Sequence, residues 1–239
     1  MSKEPAERRR KLPGIELCTF ESGAGPTLVL LHGITANGRV WDPVIEQLAD
    51  RFRCIAVDQR GHGRSAKPAG EVYAAEDYAR DVAELIADIG SGPAVVVGHS
   101  LGARNAIVAG AATPDRVRAV VAIDYVPFLP LAVFDELDKR VGGGADLTFA
   151  TLDEARRSLH ARYPNHGPRA IDIRAEHGYA RTPDGRFAPL ANADAIRATL
   201  RGLRADLAPA LRAIRAPTLL IRGAASLLVG VPAWERTRA

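Results

Sequence analysis

Short apolar runs separated by stretches of helical period set the rhythm of this chain. Residues 27–31, 52–57, 94–97 and 117–123 are near-continuous apolar segments of strand length, each followed by histidine, aspartate or glycine. Strands buried on both faces read this way, because neither side of the pleat meets water. Residues 15–21 predict a further strand before a glycine-rich turn at 23–26. Between these runs the period lengthens. Helices are expected over 43–49, over 75–89, where Val82, Leu85, Ile86 and Ile89 share one face, and over 104–112. Strands alternating with helices predict an α/β fold, a mostly parallel sheet with helices on both faces.

The alternation fails between residues 127 and 197. No strong strand pattern occurs there, three glycines fall together at Gly142, Gly143 and Gly144, and the helical stretches are polar. The segment reads as a mainly helical cap inserted over the C-terminal edge of the sheet. The chain then divides into a first core part, 1–126, the cap, 127–197, and a resumed core, 198–239. The last part predicts a helix over 203–214, a strand over 217–221 and the start of a helix at 232–236. Residues 2–11 are charged, lack the apolar centre of a secretory signal, and read as a frayed tail. No apolar run approaches the roughly 18 residues that span a bilayer.

Composition narrows the partners. The chain has 239 residues, 47% hydrophobic and 25% charged, which suits one α/β domain with an insertion. The net charge of +4 comes from arginines scattered along the chain, without a basic stripe interleaved with aromatics, which argues against nucleic acid. Cys18 and Cys54 fall in predicted strands and read as buried free thiols of a cytoplasmic protein. Histidines and carboxylates do not cluster at metal-ligand spacing, and Gly61-His62-Gly63 lacks the third glycine of a dinucleotide fingerprint. No metal and no cofactor are expected; the expected partner is a small molecule.

The chemistry concentrates at Gly98-His99-Ser100-Leu101-Gly102, directly after the run Ala94-Val95-Val96-Val97. A serine between two glycines, leaving a buried strand, reads as a nucleophile elbow. The turn is too tight for a Cβ at either flanking position, lifts the Ser100 hydroxyl clear of the sheet, and puts the Leu101 amide at a helix N-terminus.

Three motifs in order resemble the α/β-hydrolase superfamily, in its serine-nucleophile branch: His32-Gly33 after a strand, Asp58-Gln59-Arg60-Gly61-His62-Gly63-Arg64-Ser65, and the elbow. The resemblance extends through Ala216–Gly223 and covers nearly the whole chain. It implies Ser100 as the nucleophile of a covalent acyl intermediate, and the amides of Ile34 and Leu101 as an oxyanion hole worth roughly 3–4 kcal/mol per donor. His32, Gly33, Asp58, Arg60, Gly61, His62 and Gly63 take structural roles in turns. The substrate class stays open among small esters, lactones and related carbonyl compounds.

The chain departs from the family pattern in two places. Members carry an acid after the strand matching 217–221 and a histidine beyond one further strand. Here residues 223–230 hold no carboxylate, and all six histidines lie at or before His177. Asp124, closing the strand beside the elbow strand, is the candidate acid, where some lipase-like relatives carry one; the other reading is a carboxylate satisfying loop amides. His99 is expected to point away from the working face, and His160, His166 and His177 are not expected over Ser100. A serine without a base is a weak nucleophile. The chain is therefore expected to be a fragment or frame-disrupted product of a serine hydrolase, its final strand and helix missing and its 217–221 edge open to self-association. The alternative is a non-catalytic protein that kept the pocket and binds a small molecule or partner.

Two features of the cap bear on substrate. Arg162, Arg169, Arg174, Arg181 and Arg186 are either an ordinary solvated face or a clamp for a carboxylate. Phe128, Leu129, Leu131, Val133 and Phe134 are expected to line a pocket entrance or to dock the cap.

Overall fold

The structure is a computed structural model that describes residues 4–142 and 147–239. Its elements are β1 (Ala6–Leu12), β2 (Ile15–Ser22), β3 (Thr27–Leu31), α1 (Asp42–Leu48), β4 (Arg53–Asp58), α2 (Ala75–Ile89), β5 (Ala94–His99), α3 (Leu101–Ala112) and β6 (Val117–Ile123). There follow α4 (Leu131–Gly142), α5 (Leu152–Arg162), α6 (Pro168–Gly178), β7 (Tyr179–Arg181), β8 (Phe187–Pro189), α7 (Ala193–Gly202), α8 (Ala208–Ala213), β9 (Thr218–Ile221) and α9 (Val231–Arg238).

Seven strands form one sheet in the order β1-β2-β4-β3-β5-β6-β9. From β4 to β9 every pair is parallel; β1 and β2 add antiparallel at one edge. The continuous apolar runs are explained by two cores, one on each face. Along β3, Val29 and Leu31 join the core under α2 and α3, whereas Leu28 and Leu30 join the smaller core under α1. Along β5, Val96 faces the first core and Val95 and Val97 the second. A period-2 strand between two apolar layers has no polar side to show.

Five expectations require correction. Residues 6–11 are strand, not tail: β1 pairs with β2 over its whole length, and Arg10 reaches Glu21 at 2.6 Å and Asp88 at 2.5 Å. Ser2 and Lys3 of the expected tail lie outside the described residues, as do Gly143 and Gly144. The helix expected over 203–214 is shorter, because residues 203–207 turn after α7 ends at Gly202 and α8 starts at Ala208 with Pro209 in its first turn. The 197/198 boundary drawn for the cap falls inside α7. The cap also holds a hairpin, β7–β8, turned at Thr182-Pro183-Asp184-Gly185. Finally, the helix after the elbow starts at Leu101, directly against Ser100.

The C-terminal segment is mixed in burial. Leu219 and Ile221 of edge strand β9 are exposed and Leu227 is 83% exposed, yet Val229 is fully buried and Trp234 packs against the main core. Cys18 and Cys54 are free and buried, and burial pushes their thiols up to about 12 and about 11. Among the described residues no helix is long and apolar enough to cross a membrane, and no group of acidic, histidine and cysteine side chains is arranged to hold a metal ion.

Candidate active site

The elbow is built as its glycines require. Ser100 sits at φ 52°, ψ −114°, a strained conformation for a residue with a side chain. A Cβ on Gly98 would lie 2.0 Å from the Gly102 carbonyl oxygen, and one on Gly102 would lie 2.2 Å from the Leu31 carbonyl oxygen. Both neighbours are backbone and cannot swing aside. The bend is fastened from both sides: Ser100 N–H donates to Ile123 O at 2.8 Å, and Gly102 N–H donates to His32 O at 3.1 Å.

The facing loop follows β3. His32 is fully buried and both ring nitrogens are used: Nδ1–H donates to Gly33 O at 2.8 Å, and Nε2 accepts from Gln59 N–H at 3.1 Å. That fixes a neutral ring, in agreement with a pKa held well below the usual histidine value by burial and by His62. Gln59 donates to His32 O at 2.7 Å and accepts from Asn105 at 2.7 Å, so β3, β4 and α3 are locked together beneath the loop. Ala36 N–H closes a turn onto Gly33 O at 3.1 Å. The Ile34 and Leu101 amides make no hydrogen bond to any described residue.

The Asp58–Ser65 segment is scaffold. Asp58 accepts from the backbone N–H of Gly38 at 2.6 Å and of Arg64 at 2.7 Å, and a Cβ on Gly63 would collide with its carboxylate at 2.0 Å. Burial raises its pKa against those two donors. Arg60 forms a bidentate pair with buried Asp81 at 2.7 and 2.6 Å. Gly61, at φ 76°, accepts from Asn192 N–H at 2.9 Å, which docks the start of α7. His62 donates to Arg60 O; its Nε2 is buried without a partner, and burial lowers its pKa to about 4.

Between this scaffold and the cap lies a crevice of about 930 Å³, with Ser100, Ile34 and Asp124 on its core side. Asp124 is at φ 57°, and its Oδ1 is buried without a partner. His99, against expectation, opens onto the crevice beside it, because the tight elbow turns both His99 and Ser100 toward Gly33. The surrounding protein lowers the His99 pKa, and the Asp124 charge opposes that shift. His166 also lines the crevice, contrary to expectation, while His160 and His177 do not. Burial and the Arg174 charge lower the His166 pKa. Neither imidazole is hydrogen-bonded to Ser100.

The cap arginines separate into roles. Arg186 holds Thr148, and Arg181 stacks on Phe187 at 5.4 Å, both away from the crevice. Arg162 lines only a small secondary cavity. Arg169 lines the crevice but pairs with Glu46. Arg174 lines it with no acidic partner among the described residues, its Nε buried and unpaired and its guanidinium 4.4 Å over the Tyr163 ring. Arg140, which sequence reasoning does not single out, lines the same wall without an ion pair among the described residues. Of the five apolar cap residues, Leu129 and Phe134 dock the cap on the core, Leu131 is exposed, and none lines the crevice.

Comparison with known proteins gives this geometry a context. A family model described as alpha/beta hydrolase fold matches residues 26–231. A 2-(acetamidomethylene)succinate hydrolase of Mesorhizobium japonicum is 47% identical over 230 residues, 96% of this chain and 82% of that protein. A crystal structure of E-2-(acetamidomethylene)succinate hydrolase superposes with a TM-score of 0.94 at 46% identity, covering 98% of this chain and 86% of the other. A thioesterase domain from the curacin biosynthetic pathway shares the fold at 20% identity and TM-score 0.81, covering 99% of this chain and 89% of the other.

Proposed function

This chain belongs to the α/β-hydrolase fold family and is a hydrolase by that descent; we propose that its substrate is a small acyl compound bearing carboxylates, with 2-(acetamidomethylene)succinate the first to test. One observation carries the reading. Arg140 and Arg174 line the crevice of Ser100 and form no ion pair among the described residues, and Asp124 is the one carboxylate in the described lining, so an anionic guest is complementary. The hydrolase of that substrate from Mesorhizobium japonicum, 47% identical, supports the same choice.

The chemistry follows from the elbow. Ser100 Oγ adds to the acetamide carbonyl carbon while its proton passes to a base. The carbonyl π electrons move to oxygen, and the Ile34 and Leu101 N–H groups receive that charge. Collapse breaks the C–N bond, nitrogen takes the proton, and water releases acetate from acetyl-Ser100. Asp124, with one carboxylate oxygen unpaired among the described residues, is our candidate for the acid that orients an imidazole. The pKa values of His99 and His166 are lowered, chiefly by burial, which favours the proton-accepting form, but neither ring is hydrogen-bonded to Ser100. Because no imidazole among the described residues is hydrogen-bonded to Ser100, and losing the histidine of a serine triad costs roughly 10⁶-fold in kcat, slow acetate release is the expected outcome for these residues.

The missing serine–imidazole bond also favours a second reading, a binding protein on the same scaffold. Calorimetry with 2-(acetamidomethylene)succinate, followed by assay of released acetate, separates the two. The expected result is binding that weakens at least tenfold in Arg174→Leu, with slow acetate release abolished in Ser100→Ala. Binding with release equal in wild type and Ser100→Ala establishes the binder. Absence of binding overturns both readings of the crevice.

A further inference from the structure

Thr35 follows the oxyanion donor Ile34 directly and adopts φ 64°, a left-handed conformation rare for a β-branched residue. Strain of this kind persists only where surrounding contacts over-determine it. Those contacts come from the cap. The Thr35 hydroxyl meets Tyr163 OH at 3.0 Å, and Arg174 Nη2 donates to Thr35 Oγ1 at 3.2 Å. Two residues on, Asn37 donates its side-chain amide to His177 O at 2.9 Å. Tyr163 ends α5, and Arg174 and His177 belong to α6, so the loop is gripped from above by the elements that wall the crevice.

Arg174 belongs to both halves of this arrangement. Through Nη2 it holds Thr35, while its Nε is buried and unpaired in the wall where a substrate carboxylate is proposed to sit. An anion on Arg174 fixes the guanidinium, and with it the hydroxyl beside Ile34. Tyr163 adds to the same lock. Burial works to raise its pKa, but the Arg174 charge, the Thr35 hydrogen bond and the charges of Arg162 and Arg140 outweigh this and hold it below the usual tyrosine value.

We propose that Thr35 is a positioning residue that couples carboxylate binding at Arg174 to assembly of the oxyanion hole at Ile34. The proposal rests on the carboxylate reading of the crevice given above. Its consequence is specificity without added contacts, because an acyl compound lacking the carboxylate leaves the Ile34 amide imperfectly held.

The test is hydrogen exchange at the Ala36 amide, whose bond to Gly33 O closes the turn carrying Ile34. In the unliganded protein, Thr35→Val and Tyr163→Phe are expected to speed that exchange about five- to tenfold, the effect of one hydrogen bond, with Thr35→Ser near wild type. Saturating succinate slows exchange in wild type and Thr35→Ser but not in Thr35→Val, although all three bind succinate within about threefold. Residual acetate release in Thr35→Val falls in kcat with KM within about twofold. Wild-type exchange in Thr35→Val, or equal protection by succinate in Thr35→Val and Thr35→Ser, overturns the proposal. If wild type does not bind succinate, the carboxylate reading fails by itself, and the unliganded comparison of Thr35→Val with Thr35→Ser still decides whether Thr35 positions the loop.

Discussion

Gly98→Ala measures how tightly the elbow is built. The added methyl carbon would lie 2.0 Å from the Gly102 carbonyl oxygen, 2.2 Å from its carbon and 2.5 Å from Ala103 N, so the first turn of α3 must retreat by about 1.5 Å to reach ordinary contact. Gly102 cannot yield alone, since its own Cβ position is 2.2 Å from Leu31 O and α3 already lies on β3. Every residue from Leu101 to Gly110 is buried, and a gap of 0.5–1 Å forfeits roughly a quarter to a half of each contact's attraction. Overpacking commonly costs about 1–3 kcal/mol; against immovable backbone the cost here is at least about 3 kcal/mol, a large share of a domain's total stability. Gly90→Ala is the control. Its φ of 67° carries the left-handed penalty of about 1–2 kcal/mol, but nothing lies within 4 Å of the new carbon. Urea titrations followed by far-ultraviolet dichroism give both values, provided the slopes match. A Gly98→Ala loss no greater than the Gly90→Ala loss refutes the argument.

Three further outcomes are expected. Arg60→Met strands the buried Asp81 carboxylate and costs about 3–5 kcal/mol in urea unfolding at pH 7, much of it recovered when Asp81→Leu is added. His62 is lowered to about 4 by burial, so below pH 6.5 the unfolded chain binds a proton that the native protein refuses; its contribution is full above pH 6.5 and disappears as pH falls to 4, about 3 kcal/mol in all. His62→Gln should flatten the urea midpoint over that window, and an unchanged profile would show that His62 is not the group. Asp124→Asn removes the charge opposing the lowered pKa of His99, so the His99 ring, followed by NMR, should titrate at still lower pH; a rise or no change contradicts their proximity in the crevice.

The sheet is legible in the sequence because its strands lie between two apolar layers, which leaves an uninterrupted apolar run. Strand β1 is not, and Arg8, Arg9 and Arg10 show why. An edge strand held by the backbone ladder to β2 and by ion pairs such as Arg10–Glu21 has no apolar face for periodicity to reveal. The β7–β8 hairpin and the break before α8 do leave local marks, the Thr182-Pro183-Asp184-Gly185 turn and Pro209, and turn chemistry alone identifies both. The elbow glycines are legible for a different reason: a serine forced to φ 52° between two backbone collisions admits few other sequences.

The substrate side of the site has no such local cause. Nothing in the sequence around Arg174 distinguishes it from Arg181 or Arg186, yet one faces Ser100's crevice and the others hold Phe187 and Thr148. What differs is how α6 docks, and that is set by contacts distant in sequence: Asn37 to His177 O, Arg174 to Thr35, and Tyr163 to Thr35. Each joins a cap residue to the loop after β3, more than 100 positions away, so the orientation of the cap and the shape of that loop are one packing problem. The position of Ser100 is dictated by a five-residue backbone bend and can be read locally. On the carboxylate reading proposed above, specificity follows from where α6 comes to rest, and substitutions at Thr35 and at Arg174 should both disturb it.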